Sequence, residues 1–251
     1  MEPSLASLDS LTMVAGVVVC FIAAMLGSVS GMGAGMIVTL FITPIIGAKA
    51  VIPVISVLML INNASRVWFY REGLQSSRVG LIAGVAVPMS ALGALVYISL
   101  EGALVQILLG LMLIVSIPIR RWIEGQKITP SKPQIVAVSG IFGFLSSIIV
   151  GAGMLVIPML MGLGLTGTAL LATDGAIAVL VNVAKVILFG SLDALSLQYF
   201  LLAVVMGLCT IPGTWVGAWL VRRTSIKLHT AFIEVLIIVG GASLIWGAVG
   251  I

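Results

Sequence analysis

Apolar residues in this chain come in long, nearly continuous runs, separated by short stretches that hold most of its charges. A bilayer-spanning helix needs about 20 such residues. Six runs have that length and predict spans at 50–70, 79–99, 103–122, 168–189, 195–221 and 229–250. Two others, 11–46 and 134–165, are too long for one crossing and contain glycines where a helix should continue. Each of these predicts either a helix followed by a half-helix, or a re-entrant hairpin with glycine at its tip.

The two glycine stretches match. The first reads Ser28-Val-Ser30-Gly31-Met-Gly33-Ala-Gly35-Met36 and the second Ser146-Ser-Ile-Ile-Val-Gly151-Ala-Gly153-Met154, with Gly-Ala-Gly-Met identical in both. Further matches follow in the same order. Asn63-Ala-Ser-Arg66-Val67 pairs with Asn182-Val-Ala-Lys185-Val186, and Pro88, Gly93 and Ala94 pair with Pro212, Gly217 and Ala218. The chain is therefore read as two membrane repeats, 11–119 and 134–250, joined by a basic cytoplasmic linker at 120–133.

Composition supports a lipid-solvated chain. Only 8% of the 251 residues are charged and 61% are hydrophobic, with a mean hydropathy of +1.32. A soluble domain carries about 25% charged residues, and a β-barrel would alternate in polarity. The fold class is thus an all-α polytopic membrane protein. The net charge of +4 does not indicate nucleic acid, because the basic residues sit in a few loops. Cys20 and Cys209 fall inside apolar runs and are read as packing residues. The first nine residues hold no Lys or Arg, so the first apolar run is expected to be retained rather than cleaved.

Loop charge sets the topology. Arg66, Arg71 and Arg78; Arg120, Arg121, Lys127 and Lys132; and Arg222, Arg223 and Lys227 form three basic groups. If both overlong runs return to the side they entered from, these ten face the cytoplasm against Lys49 alone; if each run crosses once, the split is seven against four. The returning topology is preferred, with both termini outside. Matched loops of the two halves carry opposite charge bias, as expected of inverted repeats.

Several residues are candidates for a transport site. Half-helices starting near Met36 and Met154 would aim free N–H groups and a partial positive charge at mid-membrane, an arrangement suited to an anion. Gly31, Gly33, Gly35, Gly151 and Gly153 would let an oxyanion approach the backbone, with Ser28, Ser30, Ser146 and Ser147 as hydroxyl donors. The alternative is close helix packing through small residues. Asn63 and Asn182 are expected to face the cavity as neutral donors. Arg66 and Lys185 either bind substrate or snorkel to the interface. Asp174 is the candidate proton carrier, either partnered by Lys185 further along the same helix or wetted from the interface. Pro44, Pro53, Pro88, Pro158 and Pro212 mark kinks or helix starts. Trp68, Tyr70, Trp122 and Tyr199 are read as interfacial anchors, and His229 as an interface residue. No metal spacing, nucleophile triad or phosphate loop occurs, so neither a cofactor nor an enzyme activity is expected.

The duplicated apolar half, the Gly-Ala-Gly-Met break and the later Pro…Gly-Ala span resemble the sulfite exporter TauE/SafE family over about residues 11–250. The resemblance implies a secondary transporter of a small sulfur-containing or organic anion, such as sulfite or sulfoacetate. A multi-pass place in a bacterial inner membrane is expected with it. Alternating access by rocking of the repeats, with protons as a possible coupling ion, is the expected mechanism. A passive channel and a non-transporting membrane scaffold remain as alternatives, and the sequence leaves oligomeric state open.

Overall fold

The computed structural model describes residues 10–30, 33–124, 129–221, 238 and 241–248. Every regular element among them is helical. The order is α1 (Ser10–Ser30), α2 (Ala34–Ile46), α3 (Ala48–Tyr70), α4 (Ser76–Ser99), α5 (Gly102–Glu124), α6 (Lys132–Ser146), α7 (Val156–Gly162), α8 (Gly167–Ser191) and α9 (Leu197–Val221). Short 3-10 turns occupy Arg71–Gly73 and Ala152–Leu155, and residues 241–248 are helical.

Among the described residues, six helices are long and apolar enough to cross a membrane: Leu11–Ser28, Ala48–Gly73, Ser76–Ser99, Gly102–Ile119, Gly167–Ser191 and Leu197–Leu220. Five of the predicted spans fall on α3, α4, α5, α8 and α9 with ends within three residues. The predicted span at 229–250, with His229, lies mostly outside the described residues. Large apolar side chains such as Leu11, Ile187, Leu197, Trp215 and Trp246 stand exposed on the helices, as they do when lipid is the solvent. The protein is a multi-pass membrane protein.

Helix ends follow local rules. Ser131 and Gln134 form a capping box at the start of α6, where the Ser131 N–H donates to Gln134 Oε1 at 2.8 Å. Pro133 then occupies the first turn, where its missing N–H costs nothing. The helices on either side run into the expected linker at 120–133. α5 continues to Glu124 and α6 begins at Lys132, because apolar spacing and the cap, rather than charge, set the helix bounds. At the other face Lys49 donates to the carbonyls of Tyr97 at 3.2 Å, Ile98 at 2.7 Å and Leu100, filling the open end of α4.

The packing pairs helices across the two halves. α1 lies on α9, α4 on α6, and α3 on α8, with α3 also touching α9 and α4 touching α8. Exchanging the matched segments (α1 with α6, α3 with α8, α4 with α9) returns the same set of pairings. Glycine allows the closest of them. A Cβ on Gly143 would stand 2.1 Å from the Ala86 carbonyl oxygen, and one on Gly93 would stand 2.2 Å from that of Phe144. On the matched pair, Gly213 and Gly217 bear in the same way on the carbonyls of Phe21 and Met25, at 2.2 and 2.5 Å. Backbones meet because no side chain intervenes, the usual device of helix association in lipid.

Two of the aromatic anchors expected from sequence are corrected. Tyr70 and Tyr199 are buried, Tyr70 against Leu171, Ala172 and Ala218, and Tyr199 in the main core. Nearness to a span end does not place a ring at the interface when a neighbouring helix covers it. Trp68 is exposed, with the Arg71 guanidinium 4.6 Å from its ring centre. The Trp122 side chain lies outside the described residues.

These contacts predict a contrast. Gly93→Ala and Gly217→Ala force backbone apart and should each cost roughly 1–3 kcal/mol. Gly84→Ala, where a Cβ meets nothing within 4 Å, should be neutral or stabilising. Thermal unfolding in detergent checks this; equal melting shifts for all three would remove the close-packing account.

Candidate functional site

Two interruptions of helical backbone build the site. Between α1 and α2, Gly33 adopts φ +103° and opens α2 without a side-chain cap. Its carbonyl accepts from the N–H of Ile37 at 3.0 Å, so the N–H groups of Ala34, Gly35 and Met36 lie ahead of the first helical bond. Between α6 and α7, Gly151 adopts φ +96°. Both are left-handed conformations that cost an L-residue roughly 1–2 kcal/mol, which is why glycine stands there.

The second interruption differs from the expected half-helix at Met154. Ala152–Leu155 is a 3-10 turn, with the Met154 N–H donating to Gly151 O at 3.1 Å, and only the seven residues Val156–Gly162 are α-helical. Pro158 has no N–H to give to the Met154 carbonyl, so the α-helical ladder cannot extend back through the turn.

The two interruptions meet. A Cβ on Gly151 would lie 2.1 Å from Met36 Cε, and one on Gly35 would lie 3.4 Å from Val150 Cγ1. Beside them is a cavity of about 140 Å³ between α3 and α8, sized for a small molecule rather than a drug-like one. Gly33, Gly35, Asn63, Arg66, Gly151, Gly153, Asp174, Asn182 and Lys185 all line it, with Ser146 at the end of α6. Apolar walls come from Met36, Ile52, Ile55, Met59, Phe142, Ile149, Val150 and Val181. Gly31 lies outside the described residues, as does the side chain of Ser30.

The charges are deeply buried: Arg66 is 4% exposed, Asp174 7% and Lys185 6%. This overturns snorkelling for Arg66 and Lys185 and interfacial wetting for Asp174, since α3 and α8 cover one another along these faces. The partners also change. Asp174 Oδ2 accepts from Arg66 Nη2 at 3.1 Å rather than from Lys185. Asp174 and Lys185 are eleven positions apart, about 16 Å along one helix axis, too far to pair.

Arg66 Nη1 donates to Asn63 Oδ1 at 2.9 Å, and Arg66 Nε has no hydrogen-bond partner among the described residues. Asn63 is thus an acceptor toward Arg66, leaving its amide nitrogen as the donor. Lys185 Nζ donates to the Ser146 carbonyl at 2.9 Å, at the C-terminal end of α6, and no carboxylate pairs with it among the described residues. A cation is favourable at a helix C-terminus. The cavity thus gathers two basic side chains and one carboxylate.

The serine hydroxyls mostly serve helices. Ser146 Oγ donates to Gly143 O at 2.8 Å and Ser147 Oγ to Ser90 O at 2.7 Å. Ser28 Oγ is buried without a partner among the described residues and does not line the cavity. Sequence reasoning missed the Ser146 carbonyl, because backbone acceptors leave no residue signature. It also missed Asn62, whose Oδ1 accepts from Thr214 Oγ1 at 3.0 Å and ties α3 to α9. The adjacent pair Asn62-Asn63 inside an apolar span was the available signal.

Long apolar helices around a cavity that gathers two helix breaks, two basic side chains and a carboxylate define a polytopic membrane protein with a polar site inside its bundle. The chain belongs to the sulfite exporter TauE/SafE family, whose model matches residues 16–244. Members of this family are membrane transporters of sulfite-type anions, not enzymes. No curated protein and no solved structure matches the chain.

Two glycines in the site should behave differently. Gly151→Ala combines left-handed backbone with the Met36 contact and should lose roughly 1–2 kcal/mol of stability. Gly153→Ala meets nothing within 4 Å and should fold as the parent does. Parallel melting curves distinguish them, and a Gly151→Ala protein as stable as the parent contradicts the assigned backbone conformation.

Proposed function

We propose that this protein is a secondary transporter of a small sulfur-containing oxyanion or organosulfonate, of the sulfite or sulfoacetate type, working by alternating access around the cavity between α3 and α8. The observation that carries the reading is that one cavity is lined both by Lys185, which has no carboxylate partner among the described residues, and by Arg66, whose Nε has no hydrogen-bond partner among them. A buried charge without a counter-ion costs several kcal/mol, and a bound oxyanion accepting from Lys185, Arg66, Asn63 and Asn182 removes that cost. The apolar wall opposite suits a short organic tail. Gly33, Gly35, Gly151 and Gly153 bring backbone to the same space, and Ser30 and Gly31 belong to the same break.

Asp174 is the proposed proton carrier. Protonated, it releases Arg66 for a second negative charge; ionised, it holds the guanidinium itself. The charge of the cavity therefore changes by one with the proton, which is the condition for coupling proton and anion movement.

The halves are proposed to be inverted repeats, with the basic loops cytoplasmic, both termini on the opposite side, and the bilayer a bacterial inner membrane. The packing supports a return by the run 134–165. The turn Arg71–Gly73 lies on the start of α8, where a Cβ on Gly73 would stand 2.7 Å from the Ala169 nitrogen. Since α4 and α5 each cross once, residues 132 and 167 then share a face.

Lys185→Met should weaken anion binding by roughly 2 kcal/mol, about thirty-fold in Kd, and Lys185→Arg should recover part of it. Thermal shift against sulfite, sulfoacetate and small carboxylates measures this. In proteoliposomes Asp174→Asn should keep anion exchange and lose uptake driven by a pH gradient. Unchanged gradient-driven uptake would remove Asp174 from coupling. Flux without saturation or counterflow would identify a passive channel instead.

A further inference from the structure

The matched segments Asn63–Arg66 and Asn182–Lys185 extend further than the polar residues. Four positions after Arg66 stands Tyr70, and four positions after Lys185 stands Phe189. An interval of four puts each ring one helical turn beyond its cation, on the same helix face. Because α3 and α8 lie on one another with Arg66 meeting Asp174 near the start of α8, the two rings fall at opposite ends of the cavity.

Both rings are buried and both close a layer. Phe189 meets Tyr97 of α4 edge-on, with centroids 5.6 Å apart and planes at 68°. The Tyr97 hydroxyl lies 3.1 Å from the carbonyl oxygen of Ala48 and 3.0 Å from that of Lys49, so this layer joins α8, α4 and the start of α3. At the other end Tyr70 packs on Leu171 and Ala172 of α8 and Ala218 of α9, its hydroxyl 3.5 Å from the Ser28 carbonyl oxygen. Outside each layer is a recess. One of about 970 Å³ is lined by Tyr97, Lys49 and Asp193, and one of about 150 Å³ is lined by Tyr70, Arg71 and Thr168.

We propose that Phe189 with Tyr97 and Tyr70 are the two gates of the transport cavity, one toward the Lys49 face and one toward the Arg71 face. The inference rests on the transporter reading for its purpose, but the placement of the rings stands without any substrate. Tyr70, Tyr97 and Phe189 are all buried, so both layers are packed in this structure. The gates occupy matched positions of the two halves, so each can open by the counterpart of the other's movement. Arg66 and Lys185 each stand one turn from a gate.

The test measures access, not transport. In a Cys20→Ala, Cys209→Ala background, Val181→Cys places a thiol in the cavity wall. A membrane-impermeant thiol reagent is applied from each side of vesicles whose orientation is fixed by labelling Ser77→Cys. Phe189→Ala should raise the labelling rate about tenfold from the Lys49 face alone, and Tyr70→Ala by a similar factor from the Arg71 face alone. Phe189→Leu and Tyr70→Leu keep the layers partly filled and serve if the alanine variants do not fold; they should show the same faces with smaller increases. Equal increases from both faces mark loosened packing, and no increase marks a ring outside the path; either overturns the proposal. Face-specific labelling in a protein that moves no sulfite or sulfonate would keep the gates and reject the substrate instead.

Discussion

A charge inside a lipid-solvated protein has no water to fall back on, and that constraint organises this structure. Arg66, Asp174 and Lys185 all lie within the bundle, and the one ion pair among the described residues leaves Lys185 without a carboxylate. Lys185 turns to the Ser146 carbonyl, Arg66 also reaches the Asn63 amide oxygen, and one guanidinium nitrogen has no partner among the described residues. Such a site is costly to build from residues alone. The anion proposed to bind there would offset that cost.

The same constraint applies to the backbone. Peptide groups that leave a helix within a bilayer must be covered by protein or line a cavity. The interruptions at Gly33 and Gly151 satisfy this by meeting each other, the Met36 side chain of one lying over the glycine of the other. The positive end of α2 and the ammonium of Lys185 thus reach one small space through different chemistry. Neither break makes sense without the partner that covers it.

Much of this was legible in the chain. Long apolar runs located five spans closely, since length and hydropathy are properties each segment carries by itself. The repeated Gly-Ala-Gly-Met and the Asn-x-x-Arg/Lys pairs named residues that the fold gathers around one cavity. Pairing was not legible. Asp174 and Lys185 share a helix face, yet the partner of Asp174 comes from α3, because only tertiary packing sets which ends of two helices meet. Tyr70 looked like an anchor for the same reason: its cover arrives from α8 and α9. The 3-10 turn after Gly151 could have been anticipated from Pro158, whose missing donor distinguishes the second break from the first.

The glycine contacts of α4 with α6, and of α9 with α1, have a mechanical meaning. Each welds a helix of one half to a helix of the other at backbone distance. A movement that preserves these welds cannot separate the chain at its central linker. Under the proposed alternating access, the bodies that move would be mixed, each made of helices from both halves, with the sliding surface between them at the α3–α8 crossing. The seam along which such pieces would part is not the one between the matched halves of the sequence.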